Sequence, residues 1–84
     1  MMRIGAEVKS SRGQHQITLD TKNQAHSIHI SPKATGFGSS ANGGELLFLA
    51  LATCYCNDIY REAAKRGVAV ERVEVEVTGE LQSR

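Results

Sequence analysis

The chain predicts an α+β fold: an antiparallel sheet covered by one long helix, in the order strand, strand, strand, helix, strand. Three features of the sequence predict it. The N-terminal third alternates apolar with polar residues, the middle holds one long apolar block with capping signals at both ends, and the tail alternates valine with glutamate.

The first strand places Met2, Ile4, Ala6 and Val8 on one side and Arg3, Gly5, Glu7 and Lys9 on the other, the two-residue period of a half-buried strand. "SSRG", Ser10 to Gly13, is turn chemistry. A second strand is expected at about His15 to Leu19, with Ile17 and Leu19 on its apolar face. "DTKNQ", Asp20 to Gln24, reads as a hairpin connection. "HSIHIS" supplies a third strand, with His26, Ile28 and Ile30 facing one way and Ser27 and His29 the other, and Pro32 ends it.

"GFGSSANGG", Gly36 to Gly44, reads as a flexible polar connection that closes on a helix start. Asn42 is placed to act as N-cap, and Glu45 three residues later completes the capping-box pattern. The helix should run to about Arg66. Lys65 and Arg66 suit the negative end of its dipole, and Gly67 stands where a left-handed C-cap residue belongs. In "VAVERVEVEVTGEL", Val73, Val75 and Val77 alternate with Glu74, Glu76 and Thr78, which predicts a last strand with one wet face.

The helix is apolar nearly all round in its first half, which implies burial on more than one face. One four-stranded sheet covers a single face, so a second copy of the chain is the simplest cover for the other. Size points the same way. A domain of 84 residues is small, and chains in this range bury only ~60–65% of the surface that the unfolded state exposes. The whole chain, 1–84, reads as a single domain.

Composition excludes several classes of function. With ten basic and nine acidic residues the net charge is +1, and no basic tract supplies the electrostatic footprint of a nucleic-acid binder. The longest apolar block, Leu46 to Cys56, is about half of what a membrane span needs. It is internal, unlike a signal peptide. The two cysteines and the absence of an export signal predict a cytoplasmic protein with both thiols free.

Those cysteines, Cys54 and Cys56, lie two residues apart in "ATCYCND". On a helix that spacing separates them by about 200°. Their Cβ atoms then cannot approach to the ~4 Å of a disulfide, so a redox pair and a metal clip both fail on geometry. Cys56 shares its stripe with Leu49, Ala52, Ile59, Tyr60 and Ala63, an apolar face. Cys54 lines up with Leu47, Leu51, Asp58 and Arg61, a stripe that turns polar, and it is the better candidate for a reactive thiol. It sits mid-helix, so an activating cation has to come from elsewhere.

"GGELLFLALATCYCNDIYREAAKRGVAVERVEVEVTGEL" resembles the central segment of the OsmC/Ohr family, the osmotically inducible and organic-hydroperoxide-resistance proteins. The family carries an E-L-L-x-x-A-L-x-x-C-type helix, a basic residue before glycine and a valine-rich strand. The match runs from about Gly36 to Leu81. The resemblance implies an intertwined α+β homodimer whose two sheets enclose central helices. It also implies thiol-based reduction of a small organic hydroperoxide, with no cofactor and no metal, in which the attacking cysteine falls on Cys54. A family arginine from the N-terminal region stabilises the thiolate, and Arg12 matches it by position. A family glutamate at the helix start orients that arginine. The Ohr-type glutamate aligns with Gly44, and Glu45 is the nearest carboxylate.

The departures from the family pattern are specific. The proline common ahead of E-L-L is Gly43 here, and the resolving cysteine that the family carries on a later helix has no counterpart. A short or truncated member is therefore expected: a fragment, a naturally shortened member, or an enzyme that needs an external thiol each fit this pattern.

Two further features have plainer readings. His26 and His29 face opposite sides of a strand, which does not suit a metal pair. The glycine-rich loop lacks both phosphate-binding spacings. Two functions follow: a homodimeric, peroxide-reducing thiol protein, or a non-enzymatic dimeric module that binds a hydrophobic ligand or a partner in the same scaffold.

Overall fold

A computed structural model describes residues 2–82. They fall into two compact units, Met1–Asn42 and Gly43–Arg84. The first is a three-stranded antiparallel sheet whose strands neighbour one another in chain order, and the second holds the helix, so the α+β class and the order of these four elements are as expected.

Strands β1 (Ile4–Ser11), β2 (Gln14–Thr21) and β3 (Gln24–Ile28) are joined by two-residue turns, tighter than the sequence suggested. Arg12-Gly13 makes the first turn, with Gly13 at φ 72°. Lys22-Asn23 makes the second, at φ 52° and 65°, and two successive left-handed residues are the signature of a type I′ turn. The residues flanking it pair directly, Thr21 with Gln24 and Asp20 with Ala25, so most of the expected connection is ladder. β3 stops at Ile28, short of the expected Ser31.

Register gathers the apolar residues on one face. Val8, Ile17 and Ile28 lie side by side across the three strands, as do Ala6, Leu19 and His26. Ile17, on the central strand, is 8% exposed and is the one buried apolar residue among those described. Its neighbours in the edge strands, Val8 and Ile28, remain exposed.

Helix α1 (Gly43–Lys65) begins immediately after Asn42 and carries Glu45 in its first turn, as the capping pattern predicted. Its end is a Schellman motif. Gly67 adopts φ 65°, the Val68 N–H donates to the Ala63 carbonyl at 2.9 Å, and the Gly67 N–H donates to the Ala64 carbonyl at 3.2 Å.

Two expectations change. The segment 68–82 forms no strand, because no ladder partner lies beside it among the described residues. Its alternation nevertheless survives in burial: Val73, Val75 and Val77 are half-buried while Glu74, Glu76 and Thr78 are exposed. The segment runs back along α1, since a Cβ on Gly79 would lie 2.9 Å from the Phe48 ring. The second change concerns the long buried helix. Within one chain no residue of α1 is buried, and Leu47 is 52% exposed. Phe48, Ala52, Cys56 and Ala63 are half-buried, as is Leu46, while Leu47, Leu49, Leu51, Tyr55, Ile59 and Tyr60 are exposed.

Candidate functional site

Cys54 and Cys56 are both free thiols on α1, and the helix presents them to different surroundings. Cys56 is half-buried on the stripe of Phe48 and Ala52, eight and four residues before it. Cys54 is exposed. Two residues of helix separate them by about 200°, so neither sulfur reaches the other while α1 is intact.

The polar end of the Cys54 stripe is arranged as an ion pair. Asp58 and Arg61, one and two turns beyond the thiol and both well exposed, meet at 2.7 Å. Glu62 is similarly engaged by Lys65 at 3.5 Å and Arg66 at 4.0 Å. Exposed pairs of this kind contribute little stability. They do show that the guanidinium nearest in sequence to Cys54 already has a carboxylate partner.

Glu45 lies on the same helix in its first turn. Nine residues separate it from Cys54, a rise of about 13.5 Å and two and a half turns, so the two side chains leave α1 on opposite sides. Any influence of Glu45 on the thiol within one helix therefore passes through a third group.

Arg12 occupies the tip of the β1–β2 hairpin. The glycine-rich segment Gly36 to Gly44, expected as a flexible connection, is closed over its first half by backbone pairing. The Lys33 N–H donates to the Gly38 carbonyl at 3.0 Å, the Ser40 N–H donates to the Ser31 carbonyl at 2.9 Å, and Pro32 bridges to Ser39. Gly36 and Gly38, at φ 86° and 100°, flank Phe37 at the end of this loop. The hairpin tip is tied to it twice. The Gly13 N–H donates to the Gly36 carbonyl at 3.2 Å, and the Arg12 guanidinium lies 4.9 Å from the centre of the Phe37 ring. Sequence reasoning missed Phe37. A lone aromatic between two glycines was the only signal available.

His26 stands opposite Leu19 on the apolar face, whereas His29 lies beyond β3 and shares a 3.4 Å contact with the Ser31 hydroxyl. Among the described residues no group of three or more His, Cys, Asp or Glu side chains is arranged to hold a metal ion. Among the described residues no helix is long and apolar enough to cross a membrane.

The profile of a family described as OsmC-like protein matches residues 36–84. The matched stretch contains the Phe37 loop, all of α1 and the valine-rich segment. Neither the curated proteins nor the solved structures gave a match.

Proposed function

The chain belongs to the family of OsmC-like proteins, and on that premise we propose that it is a cytoplasmic, homodimeric peroxidase that reduces small organic hydroperoxides through Cys54. The observation that carries this reading is the contrast within α1: within one chain the thiol at the family's cysteine position is exposed, while its neighbour two residues on lies on the helix's covered side.

The chemistry follows from the thiol. The Cys54 thiolate attacks one oxygen of the hydroperoxide, an S–O bond forms as the O–O bond breaks, and the other oxygen leaves with a proton as the alcohol. Sulfur is oxidised to sulfenic acid. Cys56 cannot condense with it, because a disulfide between them would require α1 to break. Two equivalents of an external thiol therefore restore Cys54, releasing water and a disulfide. The family resemblance assigns Arg12 the positive charge that would favour the thiolate and Glu45 the carboxylate that would hold the arginine.

The homodimer has its own support. In one chain the apolar side chains of Leu47, Leu49, Leu51 and Tyr55 stay exposed on α1, and Ile4, Val8 and Ile28 stay exposed on the sheet. Exposed apolar side chains clustered along α1 and along the sheet are each the kind of surface that a second copy would cover.

The test is chemical trapping. The protein is treated with cumene hydroperoxide and dimedone, and the adduct is mapped by peptide mass spectrometry. A dimedone adduct on Cys54 with Cys56 unmodified is expected. An adduct confined to Cys56, or none on either, contradicts the assignment.

A second reading keeps the scaffold and drops the reaction. Tyr55, Ile59, Ala63 and Val68 line a shallow, mainly apolar groove near the end of α1, which favours a non-enzymatic module that takes a hydrophobic ligand or partner. Trapping at Cys54 separates the two readings.

A further inference from the structure

Phe37 is a large apolar residue with no place in a core. It is 60% exposed, at the end of a loop closed by backbone hydrogen bonds, between two glycines in left-handed conformation. Exposed aromatics on loops are usually incidental. Here one face of the ring is covered by a specific group, the guanidinium of Arg12 at 4.9 Å. That distance lies within the range of a cation–π contact, and a planar guanidinium over a ring also stacks.

The backbone around the pair is arranged to make it. Gly13, next to Arg12, donates its N–H to the carbonyl of Gly36, next to Phe37. Hairpin tip and loop are thereby held edge to edge, with the two side chains meeting just beyond the hydrogen bond. The left-handed φ at Gly36 and Gly38 lets the chain turn sharply on both sides of Phe37 and project its ring from the loop. An arginine at a hairpin tip would otherwise sample many rotamers, and each restriction of that freedom before reaction spares the active arrangement the same entropic cost.

We propose that Phe37 is a positioning residue for Arg12: its ring face holds the guanidinium and limits where the charge can go. The proposal rests on the reading in which Arg12 serves the Cys54 thiolate. It assigns Phe37 no contact with the substrate.

The experiment compares Phe37→Leu, Phe37→Trp and the wild type in two measurements. The first is the 1H–15N signal of the Arg12 side-chain Nε–H, which a ring stacked on the guanidinium shifts. The second is the rate constant for oxidation of Cys54 by cumene hydroperoxide, followed as loss of the free thiol. Leucine keeps apolar bulk without a π face, and tryptophan supplies the strongest one. The expected order for both is Trp at or above Phe, with Leu below. The rate should fall by about two- to five-fold in Phe37→Leu, the Boltzmann equivalent of an exposed cation–π contact. A role in filling space predicts the opposite, with Leu near the wild type and Trp impaired, and that order would overturn the proposal. So would a ring shift lost in Phe37→Leu with the rate unchanged, a result that leaves the peroxidase reading standing. A wild-type protein whose Cys54 does not react with hydroperoxide overturns the peroxidase reading, and the role of Phe37 with it.

Discussion

Cys54 and Cys56 share a helix and two residues of spacing, yet Cys54 is exposed and Cys56 is half-buried on the opposite side. This difference is directly measurable. Native protein treated with limiting iodoacetamide should lose the Cys54 thiol before the Cys56 thiol, with the two rates converging in denaturant. Peptide mapping at short times reads the order. Faster labelling at Cys56 would mean that α1 is packed the other way round.

The helix end makes a second, independent prediction. Gly67 at φ 65° closes the Schellman motif through the Val68-to-Ala63 hydrogen bond. A side chain there strains the backbone, so Gly67→Ala should destabilise the protein by about 1 kcal/mol. Urea denaturation of the two proteins measures it. An unchanged midpoint would show that the helix does not end in this conformation.

The second hairpin can be improved. Lys22 and Asn23 both hold positive φ, which asparagine and glycine tolerate better than lysine and asparagine do. The double substitution Lys22→Asn, Asn23→Gly should raise stability by roughly 0.5–1 kcal/mol. A loss in thermal midpoint would contradict the type I′ turn.

Much of this was legible in the sequence, and the reason is locality. Asn42, Glu45 and Gly67 mark the helix ends because caps are made by residues within one turn of each end. The alternation in β1 and β2 assigns the sheet faces for a similar reason, since side-chain direction follows from the period alone. What failed depended on partners distant in sequence. Val73, Val75 and Val77 have the pattern of a strand, and half of that reading holds, because the valines turn inward and the glutamates outward. Ladder formation, however, needs a neighbouring strand, and pattern does not supply one. The Arg12–Phe37 contact joins two loops and leaves no periodic trace. For the candidate site, the helix position of Cys54 and its separation from Cys56 followed from residue spacing, whereas Arg12 and Glu45 were reached through family resemblance.

The proposed dimer makes a prediction for the outward face of α1. Leu47, Leu51 and Tyr55 fall one turn apart along the helix, and all three are exposed in the single chain. Replacing Leu47 and Leu51 together with glutamate should weaken self-association by roughly a hundredfold or more, the effect of losing two buried leucines. Sedimentation equilibrium reads this, with far-UV circular dichroism as the check that the helix persists. A wild-type chain that sediments as a monomer at all concentrations removes the dimer from the account.

The most direct measurement is hydroperoxide consumption in the presence of dithiothreitol by the wild type, Cys54→Ser and Cys56→Ser. The account predicts that activity disappears in Cys54→Ser and is largely kept in Cys56→Ser. Equal loss in both variants, or activity that survives in Cys54→Ser, would contradict it.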